Sequence, residues 1–214
     1  DGTMADTGIP AAIVTNYLIR HRVVCEKTDY YSFLLLNSIG TTKAKEGALI
    51  SGLLKFKQLY DANAPLSVAL PDLYAAFPET YKGVGLRDHS NAIHRHFREH
   101  KLLDKMQAAF QGIPDQVMRP AEAYHEVVRH NVEYVELADL RGRVPAVMIV
   151  PYPPGIPVMM GGEIMNEAAE PIFAYLEARQ NFENAFPGYE SDIHGVERIE
   201  RDGKKYFSVL CIKK

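Results

Sequence analysis

The first part of the chain alternates short apolar segments with polar turns, and its apolar positions indicate the elements. After Gly8-Ile9-Pro10, apolar residues recur with the 3.6-residue period of an amphipathic helix that ends near His21. Short strands are predicted at 23–25 and 31–37, where branched and aromatic side chains dominate. A turn at 38–42 then offers an N-cap to a second helix at 43–60, along which the apolar residues form a single stripe.

The rest of the chain shows longer helical patterns and a hairpin. Past a linker at 61–65, helices are predicted at 86–110, 120–129 and 166–186, with Pro171 tolerated near the start of the last. A strand at 144–150 is expected to stop at the prolines of 151–157, which lack amide donors. Strands are predicted at 196–200 and 206–212, and the Asp202-Gly203 turn between them predicts that they form a hairpin. The pattern therefore predicts a mixed α and β chain in two unequal parts, divided near residue 65.

Composition narrows the class of protein. The 214 residues carry 24 Lys and Arg against 27 Asp and Glu, without a run of one sign, which argues against binding to nucleic acid or to an anionic membrane surface. No apolar stretch reaches the roughly 20 residues of a membrane helix, and the N-terminus lacks a signal sequence, so a cytoplasmic location is expected. Cys25 and Cys211 are predicted to be reduced and buried rather than bridged. Because residues 1–6 do not resemble a natural start, the chain is expected to be a piece of a longer protein.

Common catalytic and phosphate-binding motifs are absent from the sequence, and the spacing of its histidines gives only a weak indication of a metal site. His96 and His100 lie four residues apart on one helical face, but Arg95, Arg98 and Lys101 surround them with positive charge. A solvated polar face is therefore favoured for this histidine cluster, which also includes His89 and His94, and no metal site is predicted. Gly83, Gly85, Gly161 and Gly162 are interpreted as loop glycines.

Glu26 is the charged residue that attracts most interest. It follows the apolar triplet 23–25, where a predicted strand meets a loop, and a carboxylate in that position can pair with the cationic group of a ligand. The alternative is an ion pair within the chain, to Lys27 or Arg20. From the residues alone, the intrachain pair is the favoured interpretation.

Several strings in the sequence resemble the C-terminal part of the bacterial ornithine/lysine/arginine decarboxylases. The most specific is Ile149-Val150-Pro151-Tyr152-Pro153-Pro154-Gly155-Ile156-Pro157, and Phe186-Pro187-Gly188-Tyr189-Glu190-Ser191-Asp192-Ile193-His194-Gly195 resembles the family's closing motif. Glu26-Lys27-Thr28 and Phe56-Lys57 resemble its upstream stretch, in the family's order. One departure is Gly161, which stands where the family commonly has proline before Gly-Glu.

The resemblance implies a fold and a domain order. Residues 1–64 are expected to be the end of an aminotransferase-like small domain, and residues 65–214 the decarboxylase C-terminal domain, both of mixed α and β structure. It also implies a cytoplasmic enzyme that converts arginine or lysine to agmatine or cadaverine plus CO₂, as part of polyamine or acid-stress metabolism. A homo-oligomer, either a dimer or a ring of dimers, is expected, with the upstream cofactor domain as a partner of this segment.

The resemblance further separates the parent enzyme's chemistry from what this segment holds. Family members use pyridoxal 5′-phosphate bound to the lysine of a Ser-x-His-Lys motif, whereas His100-Lys101 here follows Arg98-Glu99. We therefore expect no cofactor, no catalytic lysine and no activity in this chain alone. Glu26 matches the family glutamate thought to face the distal cation of the substrate, so the resemblance reverses the preference for an intrachain pair. The alternative hypothesis is a non-catalytic assembly or ligand-binding module with the same fold.

Overall fold

Helix α1 (Ala11–Arg20) begins directly after Pro10 and turns its apolar stripe inward, as predicted, burying Ala11, Ile13, Tyr17 and Leu18. The predicted strand at 23–25 is wrong. Arg22 has a φ of +61°, and the amide of Val23 donates to the carbonyl of Leu18, so this segment ends the helix and forms no ladder. The strands are instead β1 (Lys27–Thr28) and β2 (Phe33–Leu34), which pair antiparallel in a short hairpin.

The computed structural model describes residues 4–214, which fold as two compact units, one ending at Glu99 and the other running from His100 to Lys214. In the first unit, α2 (Lys43–Asp61) is capped as expected by Thr42, whose side chain accepts from the amide of Lys45. Only Gly52 and Phe56 of α2 are buried, so much of its predicted apolar stripe faces outward in this unit. Three short helices follow, α3 (Leu66–Ala69), α4 (Pro71–Ala76) and α5 (Pro78–Tyr81).

The predicted helix over 86–110 is wrong in one respect, because it is broken in two. Helix α6 (Leu86–Glu99) ends the first unit, and α7 (Leu102–Gln111) begins after Lys101, whose φ is +49°. A left-handed residue cannot continue a right-handed helix. The division between compact units thus falls at this break, while the assignment of 1–64 and 65–214 to separate domains stays a prediction.

The second unit is built on an antiparallel sheet of order β3-β7-β6, formed by β3 (Val132–Glu136), β6 (Val196–Arg201) and β7 (Lys204–Ile212). Helix α9 (Glu170–Ala185) packs on α7 and β7, and α8 (Pro120–Val128) precedes β3, both close to the predicted bounds. The hairpin predicted at the end of the chain is confirmed.

A separate two-stranded pair joins β4 (Val150–Tyr152) to β5 (Asp192–His194). The strand predicted at 144–150 is therefore wrong in its bounds. Strand pairing begins only at Val150, the last residue of that prediction, and continues through Pro151, where the strand was expected to stop. Proline is tolerated because a strand at the edge of a sheet need not use every amide.

Cys211 is buried and Cys25 is half-buried, and both thiols are free, so the prediction of reduced cysteines is confirmed while full burial holds only for Cys211. Burial raises the pKa of Cys211 to about 12. Among residues 4–214, no helix is both long and apolar enough to cross a membrane.

Candidate functional site

Glu26 lies at the open end of the β1–β2 hairpin, immediately before β1, rather than at the end of the strand predicted over 23–25. Its amide donates to the carbonyl of Leu34 at 2.9 Å, which closes this end of the ladder. The turn is closed by the amide of Asp29, which donates to the carbonyl of Ser32 at 2.8 Å. The backbone of Glu26 is therefore held to β2 by a hydrogen bond, while the residue itself is exposed.

The Glu26 carboxylate is exposed and, among the described residues 4–214, forms no ion pair. Of its two predicted intrachain partners, Arg20 pairs instead with Asp72, at 3.0 Å from Nε to Oδ2. Neither Arg20 nor Lys27 lies within ion-pair distance of Glu26. The carboxylate is consequently available to a cation from outside the described chain, and its assignment as a substrate ligand remains a prediction.

The hairpin is attached to helix α6 by aromatic and hydrogen-bonding contacts. The hydroxyl of Tyr31 lies 2.7 Å from Nδ1 of His94, and the ring of Tyr30 meets Phe97 edge-on with centroids 5.1 Å apart. On the other side of the imidazole, Nε2 of His94 is 2.8 Å from the carbonyl of Ala5. Three segments of the first unit therefore converge on one histidine.

The solvated polar face predicted for the histidine cluster is wrong for two of its members. His89 and His94 are only 2% and 3% exposed, and they lie on the buried face of α6 with Ile93 and Phe97. Desolvation lowers the pKa of His89 to about 4. Helical spacing contained the signal, since 86, 89, 90, 93, 94 and 97 form one stripe, but the polar residue types concealed it.

A metal site is not supported in this cluster. Within the part of the chain that the structure describes, no group of three His, Cys, Asp or Glu side chains is placed to hold a metal ion. The break after α6 also removes His100 from the helix that carries His96, so the four-residue spacing no longer places them on one helical face.

The only His-Lys pair in the sequence does not fit a cofactor site. His100 and Lys101 are both exposed, in the turn between α6 and α7, and Lys101 has a left-handed backbone. A lysine that forms a Schiff base is usually activated by desolvation or by a neighbouring cation inside a pocket. His100 and Lys101 are instead exposed, so no chemistry on the cofactor is assigned to this pair.

The two proline- and glycine-rich motifs lie in the second unit and are brought together by strand pairing. Tyr152-Pro153 and Pro153-Pro154 are cis peptide bonds, and Gly155, with a φ of +80°, packs its backbone against the ring of Tyr152. The segment before these bonds, β4, pairs with β5 from the closing motif. Sequence order alone could not show this pairing, because about 40 residues separate the two strands.

Two family models match the chain. The model described as Orn/Lys/Arg decarboxylase, C-terminal domain matches residues 103–213, and that described as the major domain of the same enzymes matches residues 1–45. The chain belongs to the Orn/Lys/Arg decarboxylase family. The resemblance carried by the sequence motifs is thereby confirmed.

Individual decarboxylases are similar over almost the whole chain. Lysine decarboxylase LdcA of Pseudomonas aeruginosa is 47% identical over 212 residues, or 99% of this chain, and the biodegradative arginine decarboxylase of Escherichia coli is 37% identical over 213 residues. The solved constitutive lysine decarboxylase of E. coli superimposes with a TM-score of 0.91 at 38% identity over 99% of the chain. The mixed α and β fold predicted from the family is therefore confirmed.

The matched region is a limited part of these relatives. The chain spans 28% of the length of each of the two curated relatives and 29% of the solved E. coli chain. Family membership therefore describes this segment directly, whereas the activity of a whole decarboxylase belongs to a longer polypeptide.

Proposed function

We propose that this chain is the C-terminal segment of a pyridoxal-phosphate-dependent basic amino-acid decarboxylase, and that it contributes substrate recognition through Glu26. The observation that carries the proposal is the exposed Glu26 carboxylate, held at the hairpin's open end, which pairs with no cation of residues 4–214. The carboxylate would accept the distal ammonium or guanidinium of the substrate in a charge-assisted hydrogen bond.

Desolvation decides how much such a pair contributes. At 4 Å, two unit charges attract by about 1 kcal/mol in water but by about 4 kcal/mol at an effective dielectric constant near 20. Exposed as it is here, Glu26 would discriminate weakly between charged and neutral side chains. We infer that the upstream part of the enzyme closes over the hairpin and supplies the lower dielectric, together with the cofactor.

Lysine is the favoured substrate. The lysine decarboxylase of P. aeruginosa is 47% identical to the chain, against 37% for the arginine decarboxylase of E. coli. Charge alone does not separate lysine from arginine, because both carry one distal cation. The preference therefore rests on overall similarity, and arginine is the second substrate to test.

The remaining roles of this segment are structural. We propose that it packs against the cofactor domain of its own polypeptide, that the enzyme assembles as a dimer or a ring of dimers, and that it works in the cytoplasm. Alone, the 214 residues are proposed to release no CO₂, since the exposed His100-Lys101 turn is unsuited to hold the cofactor.

Glu26→Gln in the complete enzyme tests the recognition role. The substitution keeps size and hydrogen-bonding capacity but removes the charge, so kcat/KM for lysine should fall relative to that for norleucine, which lacks the distal amine. A loss of about 1–3 kcal/mol is expected, or about 5- to 150-fold in the ratio. Steady-state CO₂ release from lysine, arginine and norleucine provides the measurement.

Glu46→Gln is the matched control, because Glu46 is an exposed carboxylate in the first turn of α2. It should leave the lysine-to-norleucine ratio within twofold of the wild type. An equal ratio in Glu26→Gln and wild type would refute the role of Glu26. Faster turnover of arginine than of lysine would overturn the substrate preference alone, and CO₂ release by the 214-residue chain would overturn its proposed inactivity.

A further inference from the structure

The hydrogen bonds of His94 have a defined direction. A carbonyl oxygen can only accept, so Nε2 of His94 carries the hydrogen that is donated to Ala5, and in this tautomer Nδ1 is an acceptor. The hydroxyl of Tyr31, 2.7 Å from Nδ1, is then the donor. A tyrosine hydroxyl is protonated at neutral pH, and desolvation raises the pKa of Tyr31 further, to about 12.

The imidazole has little freedom to move. A Cβ atom at Gly8 would lie 2.5 Å from Nδ1 and 2.7 Å from Cε1 of His94, so the segment before α1 covers the ring closely and only glycine fits there. The ring is also buried to 3% exposure on α6. His94 is consequently a fixed point against which the Tyr31 hydroxyl can be held.

The β1–β2 hairpin needs such an anchor. Each of its strands has only two residues, and an isolated two-stranded hairpin is marginally stable in water. Tyr30 and Tyr31 lie in its turn, where both rings meet Phe97 of α6 edge-on, and the carbonyl of Tyr30 accepts from the amide of Ala11 at 2.8 Å. The hairpin is thus fixed at its turn, while Glu26 occupies its other end.

We propose that Tyr31 and His94 are positioning residues that hold the β1–β2 hairpin on α6 and thereby set the position of the Glu26 carboxylate toward the substrate cation. This inference rests on the role proposed for Glu26. Neither side chain touches the substrate in the proposal; both act through the backbone that carries Glu26. A positional error near 1 Å at a recognition group can lower catalytic efficiency by about 100-fold.

Two substitutions in the complete enzyme test the inference. Tyr31→Phe removes the hydroxyl and its hydrogen bond to His94. His94→Gln removes the imidazole ring that accepts this hydrogen bond. Each should lower the ratio of kcat/KM for lysine to that for norleucine by about tenfold. The effect should appear mainly as a higher KM for lysine, with a smaller change in kcat.

Matched controls separate this effect from general damage. Tyr124 and His125 are exposed residues of α8, so Tyr124→Phe and His125→Gln should leave the ratio within twofold. If His94→Gln does not yield folded enzyme, Tyr31→Phe decides the question alone, because it leaves the packing of the ring in place. A thermal melt of each variant accompanies the kinetics.

Combination with Glu26→Gln identifies the route of action. If Tyr31 acts by positioning Glu26, Tyr31→Phe should change the ratio less than twofold once the charge of Glu26 is gone. Full additivity of the two losses, or an unchanged ratio in Tyr31→Phe, would overturn the positioning role while the role of Glu26 stands. An unchanged ratio in Glu26→Gln alone would overturn both.

Discussion

At the scale of single residues, His89 should make the first unit sensitive to acid. It is 2% exposed, its ring meets Tyr81 edge-on, and desolvation lowers its pKa from 6.5 to about 4. Between those values the unfolded chain binds a proton that the folded chain does not, so stability falls as the pH falls through this range. The full shift corresponds to about 3 kcal/mol.

Urea unfolding at pH 7.5 and pH 4.5, followed by circular dichroism, measures this loss. His89→Gln removes the titrating group, so the free energy of unfolding should change less between the two pH values than in the wild type, by about 2–3 kcal/mol. His125→Gln, at an exposed histidine, should keep the wild-type pH dependence. The same pH dependence in His89→Gln as in the wild type would contradict the assignment.

The sequence indicates which residues are candidates for a function more reliably than it indicates whether those residues are buried or exposed. The position of Glu26 after an apolar triplet and its match to the family motif mark it as a candidate, and within the part of the chain that the structure describes its carboxylate forms no ion pair. The burial of His89 and His94 was missed, because a histidine is equally compatible with a polar face and with a core in which its nitrogens find partners. That distinction depends on the segments packed over α6, and the contact between Ala5 and His94 spans 89 residues of sequence.

At the scale of elements, a buried ion pair joins α9 to β6 in the second unit. Glu183 is 1% exposed, and its carboxylate accepts hydrogen bonds from Nε and Nη2 of Arg198 at 2.7 and 2.9 Å. The amide and the hydroxyl of Ser191 donate to the same carboxylate. The closing motif is therefore tied to α9 by a carboxylate whose oxygens are satisfied. Loss of the arginine would leave that negative charge buried and uncompensated.

Arg198→Met should therefore lower the free energy of unfolding of the second unit by about 3–5 kcal/mol, measured by urea titration. The double variant Glu183→Met with Arg198→Met should recover part of this loss, because no buried charge remains. Arg129→Met, which removes an exposed pair with Glu126, should cost less than about 1 kcal/mol. A loss for Arg198→Met no larger than for Arg129→Met would show that the pair contributes little.

Elements with strong local signals were predictable, and those set by distant contacts were not. Helix α2 starts after its N-cap Thr42, and α8 starts at Pro120 in its first turn. The β6–β7 hairpin turns at Asp202-Gly203. The break between α6 and α7 has no such marker, since Lys101 is neither glycine nor proline yet adopts a left-handed backbone. The β4–β5 pair likewise depends on contact between two motifs far apart in sequence.

At the scale of the whole molecule, the first unit presents apolar side chains that a complete decarboxylase should cover. Leu36 and Ile39, which follow β2, are both exposed, as is Leu54 on α2. The major-domain model matches residues 1–45, and the relatives are more than three times longer than this chain. Large apolar side chains exposed to this degree are often covered by another segment of a protein. We expect the upstream part of the same polypeptide to bury it.

Substituting Leu36 and Ile39 together by Asp distinguishes a covered surface from an exposed one. In the 214-residue chain the double variant should unfold at the same urea concentration as the wild type and self-associate less in sedimentation, because these side chains already face water. In the complete enzyme it should cost about 3 kcal/mol or more, since burying each side chain contributes about 1.5–3 kcal/mol. Lys55→Asp, an exposed position on α2, controls for the added negative charge and should be tolerated in both proteins. If the double variant leaves the complete enzyme as stable as the wild type, this surface faces solvent there too, and the hairpin that carries Glu26 would then lack the covering needed to desolvate its carboxylate.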